Sequence, residues 1–289
     1  MPRKTLTDFQ EMKASGEKIV FLTAYDAMMA AFEEQAGVDM ILVGDSVGNT
    51  KLGYSSTIPV TMEEMLVFAK AVRRGAPNTF IIGDMPFMSY QADVAEAVRN
   101  AGRFVKEAEC DAIKLEGGVG MADVVKAISD AGILVMGHIG LTPQYAAKFG
   151  GWKAQGRDAR AAMHLVEDAK ALEEAGAFAI LLEGMPGPVS KAIREMCAIP
   201  IIGIGAGLPC DGQLLIVYDM LGMFELFKPK FVKRYGNLAA DIVRMMAEYR
   251  DEVRSGGFPT SDHAYKMPKE QYAEFKKALA QYEASPSDS

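Results

Sequence analysis

The sequence is short of cysteine, histidine and tryptophan, with three, three and one among 289 residues. Cys110, Cys197 and Cys210 lie far apart, are odd in number and form no Cys-x-x-Cys pair, which excludes a disulfide framework and a thiolate zinc site. A reducing cytoplasm is the expected location. Long apolar runs are also missing. None approaches the roughly 18–20 residues that a membrane helix requires, and Met1 to Thr5 leads directly into a polar stretch, so neither export nor membrane insertion is expected. Surplus positive charge is lacking too: 31 Lys and Arg stand against 38 Asp and Glu, a net charge of −7. Such a surface offers no general attraction to nucleic acid or to an anionic membrane. What remains is ordinary globular composition, 49% hydrophobic and 24% charged, enough to bury a large core and to exclude disorder as the main state.

Short apolar runs bounded by Gly, Pro or Asp recur along the chain: Ile19–Leu22, Met40–Val43, Phe80–Ile82, Ala112–Leu115, Ile133–Met136, Phe178–Leu182, Ile201–Ile204 and Leu214–Val217. Several follow near-copies of one phrase, Ala36-Gly37-Val38-Asp39, Glu109-Cys110-Asp111, Ala131-Gly132 and Ala175-Gly176, as expected where a helix stops just before a buried strand. Helical pattern fills the gaps. Thr61-x-x-Glu64 is a capping box ahead of Met65, Leu66, Ala69 and Val72, and Leu165, Val166, Ala169 and Leu172 repeat the spacing. Nearly continuous apolar strands alternating with helices require parallel pairing with both faces covered. Eight such units over about 250 residues suit an α/β fold of the closed (β/α)8 TIM-barrel kind better than an open sheet.

No linker divides residues 1–255, which are expected to form one barrel domain. Ser255-Gly256-Gly257-Phe258-Pro259 breaks the pattern, and residues 256–289 read as a C-terminal extension. Its helix, within Lys266 to Tyr282, carries Tyr272, Phe275, Leu279 and Tyr282 on one side. Packing on its own barrel and contact with another subunit both account for that face. Ser285 to Ser289 should be a frayed tail.

In a barrel of this kind the residues at the C-terminal ends of the strands face the active-site mouth. Those positions hold Gly44-Asp45-Ser46, Gly83-Asp84, Glu116-Gly117-Gly118, Gly137-His138 and Glu183-Gly184, so carboxylates from several strands should converge. Like charges in a partly buried mouth repel, and a divalent cation relieves the conflict. Carboxylates without Cys favour Mg²⁺ over Zn²⁺. Asp45 or Asp84 taken alone reads equally well as a helix N-cap. Lys114 lies two residues before Glu116, so period two puts both on one side of the strand, and a buried ammonium there needs a site carboxylate, an anionic substrate or a structural ion pair. His138 is read as an acid, a ligand or a hydrogen-bonded spacer that orients a neighbour. Gly203-Ile204-Gly205-Ala206-Gly207 lacks the third glycine of a dinucleotide loop and reads as tight backbone packing, with a ligand-facing loop as the alternative.

In order and spacing, Thr23-Ala24-Tyr25-Asp26, Val43-Gly44-Asp45-Ser46, Gly83-Asp84-Met85-Pro86-Phe87, Ile113-Lys114-Leu115-Glu116-Gly117-Gly118, Gly137-His138-Ile139-Gly140-Leu141-Thr142-Pro143-Gln144, Leu182-Glu183 and Ile204-Gly205-Ala206-Gly207 through Gln213 resemble the ketopantoate hydroxymethyltransferase family from about Thr5 to Met267. That family is similar in fold to the phosphoenolpyruvate mutase and isocitrate lyase superfamily. Gly184-Met185 is a departure that touches pocket shape more than chemistry. The resemblance implies that Asp45 and Asp84 hold Mg²⁺ with Glu116 completing the coordination, and that Ser46 and Lys114 bind the carboxylate end of a 2-oxo acid. His138 is counted with the substrate-binding residues, as are Asp45 and Asp84, and Glu183 is the base. It further implies 5,10-methylenetetrahydrofolate as co-substrate, 3-methyl-2-oxobutanoate as acceptor, a place in pantothenate and coenzyme A synthesis, and a homo-oligomer, a decamer being expected. Two other readings stand beside it: a folate-independent, metal-dependent C–C lyase or decarboxylase acting on a 2-oxo acid, and a catalytically silent barrel whose carboxylates are ordinary caps.

Overall fold

All eight apolar runs are strands in a computed structural model of the chain, which describes residues 2–227 and 229–284. They are β1 (Ile19–Thr23), β2 (Met40–Val43), β3 (Phe80–Asp84), β4 (Ala112–Glu116), β5 (Leu134–Gly140), β6 (Ala179–Glu183), β7 (Ile201–Ile204) and β8 (Gly212–Leu215). Each pairs in parallel with its neighbour, and β8 closes on β1 through Ile19 opposite Gly212, giving an eight-stranded barrel in sequence order. This is the (β/α)8 architecture expected from the alternation of runs and helices.

Two strands differ from expectation. β5 continues past Met136 to Gly140, pairing His138 with Leu181 and Gly140 with Glu183, so His138 lies inside a strand instead of after one. β8 begins two residues before the apolar run, at Gly212, because the register with β1 and β7 brings Ile19 and Ile202 against that position. A Cβ on Gly212 would stand 2.8 Å from side-chain atoms of both, a crowding that only glycine avoids and that a search for apolar runs overlooks.

The helices of the barrel unit are α1 (Leu6–Ser15), α2 (Ala27–Gln35), α3 (Val47–Thr50), α4 (Met62–Gly75), α5 (Val94–Ala108), α6 (Ala122–Asp130), α7 (Ala159–Glu174), α8 (Gly187–Met196) and α9 (Val217–Met220). Their starts follow from capping chemistry. The side chains of Asp26, Thr61, Asp93 and Asp158 accept from the backbone N–H three residues on, and Thr61 and Glu64 complete the expected capping box. The buried faces of α4 (Met65, Leu66, Ala69, Val72) and α7 (Leu165, Val166, Ala169, Leu172) are the ones their periodicity marked.

Hydrophobic packing divides into two layers. Outward strand residues such as Ile41, Ile81, Ile113, Val135 and Ile180 pack against the helices. Inward residues Met40, Leu42, Phe80, Ile82, Met136, Leu181 and Ile202 fill the lumen together with Phe9 and Met12 of α1. Phe9 meets Phe80 edge to face at 5.1 Å, and truncating a ring so buried costs about 3–5 kcal/mol. The lumen is thus a packed floor that leaves polar chemistry to the strands' C-terminal ends.

The chain divides into two compact units, residues 1–237 and 238–289. The second unit contains α10 (Leu238–Ser255) and α11 (Lys269–Ala284). No residue of α10 is buried. On α11, Tyr272, Phe275, Leu279 and Tyr282 are exposed. The expected frayed tail, Ser285 to Ser289, lies outside the described residues. No helix among the described residues is long and apolar enough to cross a membrane.

Candidate active site

Alternation along the strands decides what enters the barrel mouth. Above the apolar floor, the next inward positions are Asp84 on β3, Lys114 and Glu116 on β4, His138 on β5 and Glu183 on β6, while Asp45 follows β2 directly. Asp45, Asp84, Lys114, Glu116 and His138 are all buried, and Glu183 keeps 12% of its side-chain surface exposed. The convergence expected from strand ends is therefore real for all six.

Lys114 is the hub. Its Nζ lies 2.8 Å from Asp84 Oδ1, 3.9 Å from Glu116 Oε1 and 3.3 Å from His138 Nδ1. Burial works against its charge, yet Asp84, Glu116 and Asp45 together outweigh that penalty and hold its pKa above the ordinary lysine value. The ammonium therefore stays charged, in a structural ion pair with a site carboxylate, which is one of the pairings the sequence demanded.

The carboxylates respond in the opposite sense. Burial raises Asp45, with the Glu116 charge adding to the effect and Lys114 opposing it. Burial lifts Asp84 well above its usual range against the pull of Lys114, and lifts Glu116 to about 7. Glu183 is raised by burial and partly restored by His138. His138 is held below its ordinary value, first by burial and then by the Lys114 charge, so it is neutral at pH 7. An ammonium can only donate, so His138 Nδ1 is its acceptor and the ring proton is assigned to Nε2, 3.3 Å from Glu183 Oε2. Of the roles open to His138, orientation of a neighbour fits this arrangement.

Neither Asp45 nor Asp84 caps a helix. Asp84 Oδ2 accepts from the backbone N–H of Asp45 at 2.9 Å, which locks the two residues together, and Asp45 Oδ2 accepts from Gln144 Nε2 at 3.0 Å. Ser46, at the mouth beside Asp45, shares a 2.8 Å hydrogen bond with the hydroxyl of Tyr25. In the glycine loop after β7, Ser190 Oγ bonds Ala206 O at 2.5 Å and Gln213 Nε2 bonds Gly207 O at 2.9 Å.

Gln144 and Tyr90 were not singled out from the sequence. Gln144 is buried, donates from Nε2 to Asp45 and to Met85 O, and offers its backbone N–H to Glu116 Oε2 at 2.9 Å. Tyr90 fixes it in turn, donating to Gln144 Oε1 at 2.6 Å while accepting from the Glu116 N–H. Gln144 thus ties the two carboxylates together, Asp45 by its side-chain amide and Glu116 by its backbone N–H. The available signal was its place in the Thr142-Pro143-Gln144 segment just beyond β5.

Whether these residues fit a metal ion is decided by the donor set. Among the described residues no three His, Cys, Asp or Glu side chains are grouped to enclose a metal. Asp45 and Asp84 are nevertheless adjacent, and the buried atoms Asp84 Oδ1 and Glu116 Oε1 have no aligned hydrogen-bond partner, although Lys114 is close to both. Two carboxylates completed by water and substrate oxygens are the usual protein contribution to Mg²⁺. The donor set therefore fits a hard divalent ion.

The chain resembles many known proteins along most of its length. The model of the ketopantoate hydroxymethyltransferase family matches residues 3–261. A 3-methyl-2-oxobutanoate hydroxymethyltransferase of Desulfotalea psychrophila is 55% identical over 263 residues, covering 91% of this chain and 94% of its own. Another of that name, from Alkaliphilus metalliredigens, is 52% identical and covers 97% and 99%. Among solved structures, a phosphonopyruvate hydrolase complex with oxalate and Mg²⁺ superposes with a TM-score of 0.59 at 16% identity, over 95% of this chain and 97% of that one. A 2,3-dimethylmalate lyase of the PEP mutase/isocitrate lyase superfamily gives 0.57 at 15% identity, over 97% and 100%. At such identities the last two establish the shared barrel alone.

Proposed function

The chain belongs to the ketopantoate hydroxymethyltransferase family, and from that membership we propose that it transfers a hydroxymethyl group from 5,10-methylenetetrahydrofolate to 3-methyl-2-oxobutanoate, giving ketopantoate for pantothenate synthesis. The observation that carries the reading is the locked pair Asp45–Asp84 beside the Lys114 ammonium, with Glu183 one imidazole away.

Asp45 and Asp84, with Glu116 as the third carboxylate, would hold a divalent ion, Mg²⁺ by donor set, whose positive charge would favour loss of the proton next to the keto group. Lys114 and Ser46 receive the carboxylate of the 2-oxo acid, as an ammonium and a hydroxyl both donate to it. Glu183 removes the proton from C3. It is suited to that task because burial brings its basicity toward the operating pH, with the neutral His138 ring 3.3 Å from its carboxylate. The one-carbon unit leaves N5 and N10 of folate with its oxygen supplied by water, C3 bonds to that carbon, and the C3 proton and one water proton end on the two nitrogens as tetrahydrofolate is released.

The same reading includes a cytoplasmic homo-oligomer, a decamer, which sedimentation of the purified protein tests. The chemistry is tested by NMR: proton–deuterium exchange at C3 of 3-methyl-2-oxobutanoate, with Mg²⁺ present and then chelated, before and after methylenetetrahydrofolate. Metal-dependent exchange followed by ketopantoate formation is expected. Exchange without hydroxymethyl product sinks the folate role and favours a folate-independent lyase or decarboxylase; no exchange at all points to a silent barrel.

A further inference from the structure

The carboxylate cluster is not the only concavity at the barrel mouth. Between the loop after β4 and the helix α7 lies a cavity of about 390 Å³, a size typical of sites for organic ligands rather than single ions. It adjoins the cluster in sequence and in space. Gly117 on its wall directly follows Glu116, and Thr142 and Tyr145 flank Gln144. The Glu116 charge contributes to raising the Tyr145 phenol above its ordinary value, after burial. A five-carbon 2-oxo acid seated at Ser46, Lys114 and the carboxylates leaves this cavity unused.

Its one acidic wall is Asp168 of α7. Asp168 Oδ1 accepts the backbone N–H of Val119 at 2.8 Å, and the carboxylate lies so close over Gly118 that any side chain there would collide with it. The carboxylate is thereby fixed in place, half-buried, at the side of the cavity. Burial also raises its pKa. Gly117, Gly118, Gly140, Ile139 and Leu165 give flat or apolar wall around it, while Gln155 and His164 add polar groups, the His164 charge opposing the effect of burial on Asp168. At the rim, the exposed Lys148 places its Nζ 4.8 Å above the ring of Tyr145.

We propose that this cavity is the pterin subsite for the folate co-substrate, with Asp168 accepting the paired N–H donors of the reduced pterin's amino-pyrimidinone edge. The inference rests on the folate-dependent reading given above and adds the residues that recognise the co-substrate. The chemistry is specific. The pterin 2-amino group and N3–H point two donors in parallel, the pattern a carboxylate accepts best, and the glycine-faced walls admit a flat ring. Tyr145 lies on the side toward Glu116, where the one-carbon unit must meet the 2-oxo acid. Lys148 at the rim offers a cation to the carboxylates of the glutamyl tail.

The test uses tetrahydrofolate, which lacks the transferable carbon, in anaerobic calorimetry with Mg²⁺ on the intact protein. Asp168→Asn keeps an oxygen for Val119 but loses the charge and one acceptor, and its Kd is expected to rise about 10- to 100-fold. C3 exchange, which needs no folate, should change less than about twofold, a split that a merely structural Asp168 would not produce. Ala161→Phe, which narrows the cavity from α7 without touching Asp168, should weaken tetrahydrofolate to a similar degree and decides the matter where Asp168→Asn fails to fold. Tetrahydropterin alone should compete, since the ring is the recognised part. Tetrahydrofolate bound equally well by the wild type and by either folded variant overturns the subsite while leaving the transfer reading intact. A wild type that exchanges C3 but binds no tetrahydrofolate overturns both.

Discussion

Replacing Lys114 by Met removes the one ammonium that three buried groups share, at nearly unchanged length and with apolar character. Its Nζ sits 2.8 Å from Asp84 Oδ1, 3.3 Å from His138 Nδ1 and 3.9 Å from Glu116 Oε1, in a region no more than 3% exposed. Taking one partner from a buried ion pair costs about 3–5 kcal/mol, because the charge left behind has neither water nor counter-charge. Lys114 also lowers the pKa of Asp84 and of Glu116, against burial that raises both. Without it their folded values rise further, folding takes up more protons, and stability falls as pH rises through those values. The loss should therefore approach its full size at pH 8 and shrink by pH 5, where the stranded carboxyls are protonated. Added Mg²⁺ should restore more stability to Lys114→Met than to the wild type, since it replaces the missing positive charge. Urea unfolding at fixed protein concentration, at pH 5 and pH 8 with and without Mg²⁺, measures all of this. A loss below about 1 kcal/mol that ignores both pH and metal would refute the role of Lys114 as the counter-charge of the mouth.

Glu33 gives a test remote from the chemistry. Both its carboxyl oxygens are buried without a hydrogen-bond partner, and burial, with the Asp26 charge adding, lifts it to about 9. Its folded value exceeds the unfolded one, so it removes stability as pH rises between them, by at most about 1.4 kcal/mol per pH unit. Glu33→Gln should match the parent near pH 5 and exceed it at pH 8 in thermal unfolding; a parallel pH dependence in both proteins would contradict the buried neutral acid. Gln144→Leu should weaken Mg²⁺ binding about 10- to 100-fold by freeing Asp45, as loss of ligand-orienting groups does, and calorimetry with unaltered affinity would rule out the amide clamp. The C3 exchange rate should rise with pH along a single limb placed above the ordinary glutamate value, because burial raises Glu183 and only its ionised form accepts the proton. A flat profile down to pH 4 would contradict that limb.

Period two is why so much of the mouth was legible. Once Ala112 to Leu115 reads as a strand, Lys114 and Glu116 must share a face, and the strand ends at Asp84 and Glu183 follow from the runs that precede them. The need of a buried ammonium for an anion anticipated a partner for Lys114, and Asp84 supplies it. Positions where packing, not pattern, sets the boundary were harder to read. Gly212 begins β8 because Ile19 and Ile202 leave no space for a side chain, and α1 contributes Phe9 to the lumen although its own apolar periodicity is weak. Gln144 and Tyr90 act through contacts between segments 26 to 99 residues apart, which no local spacing encodes. Glu33 looks like any charged residue of an amphipathic helix until α4 packs against α2. Asp168 likewise reads as a surface residue of α7 until the Gly117–Gly118 loop is brought beneath it.

The most direct measurement of the central claim is C3 exchange in Glu183→Gln. The change keeps the size of the side chain and its contact with His138 but removes the base, and a positioned general base contributes about 10²- to 10⁴-fold. Exchange and ketopantoate formation should fall together by that factor, while Mg²⁺ and 3-methyl-2-oxobutanoate bind within a few-fold of the wild type. Undiminished exchange in a folded Glu183→Gln protein would contradict the assignment of Glu183 as the base.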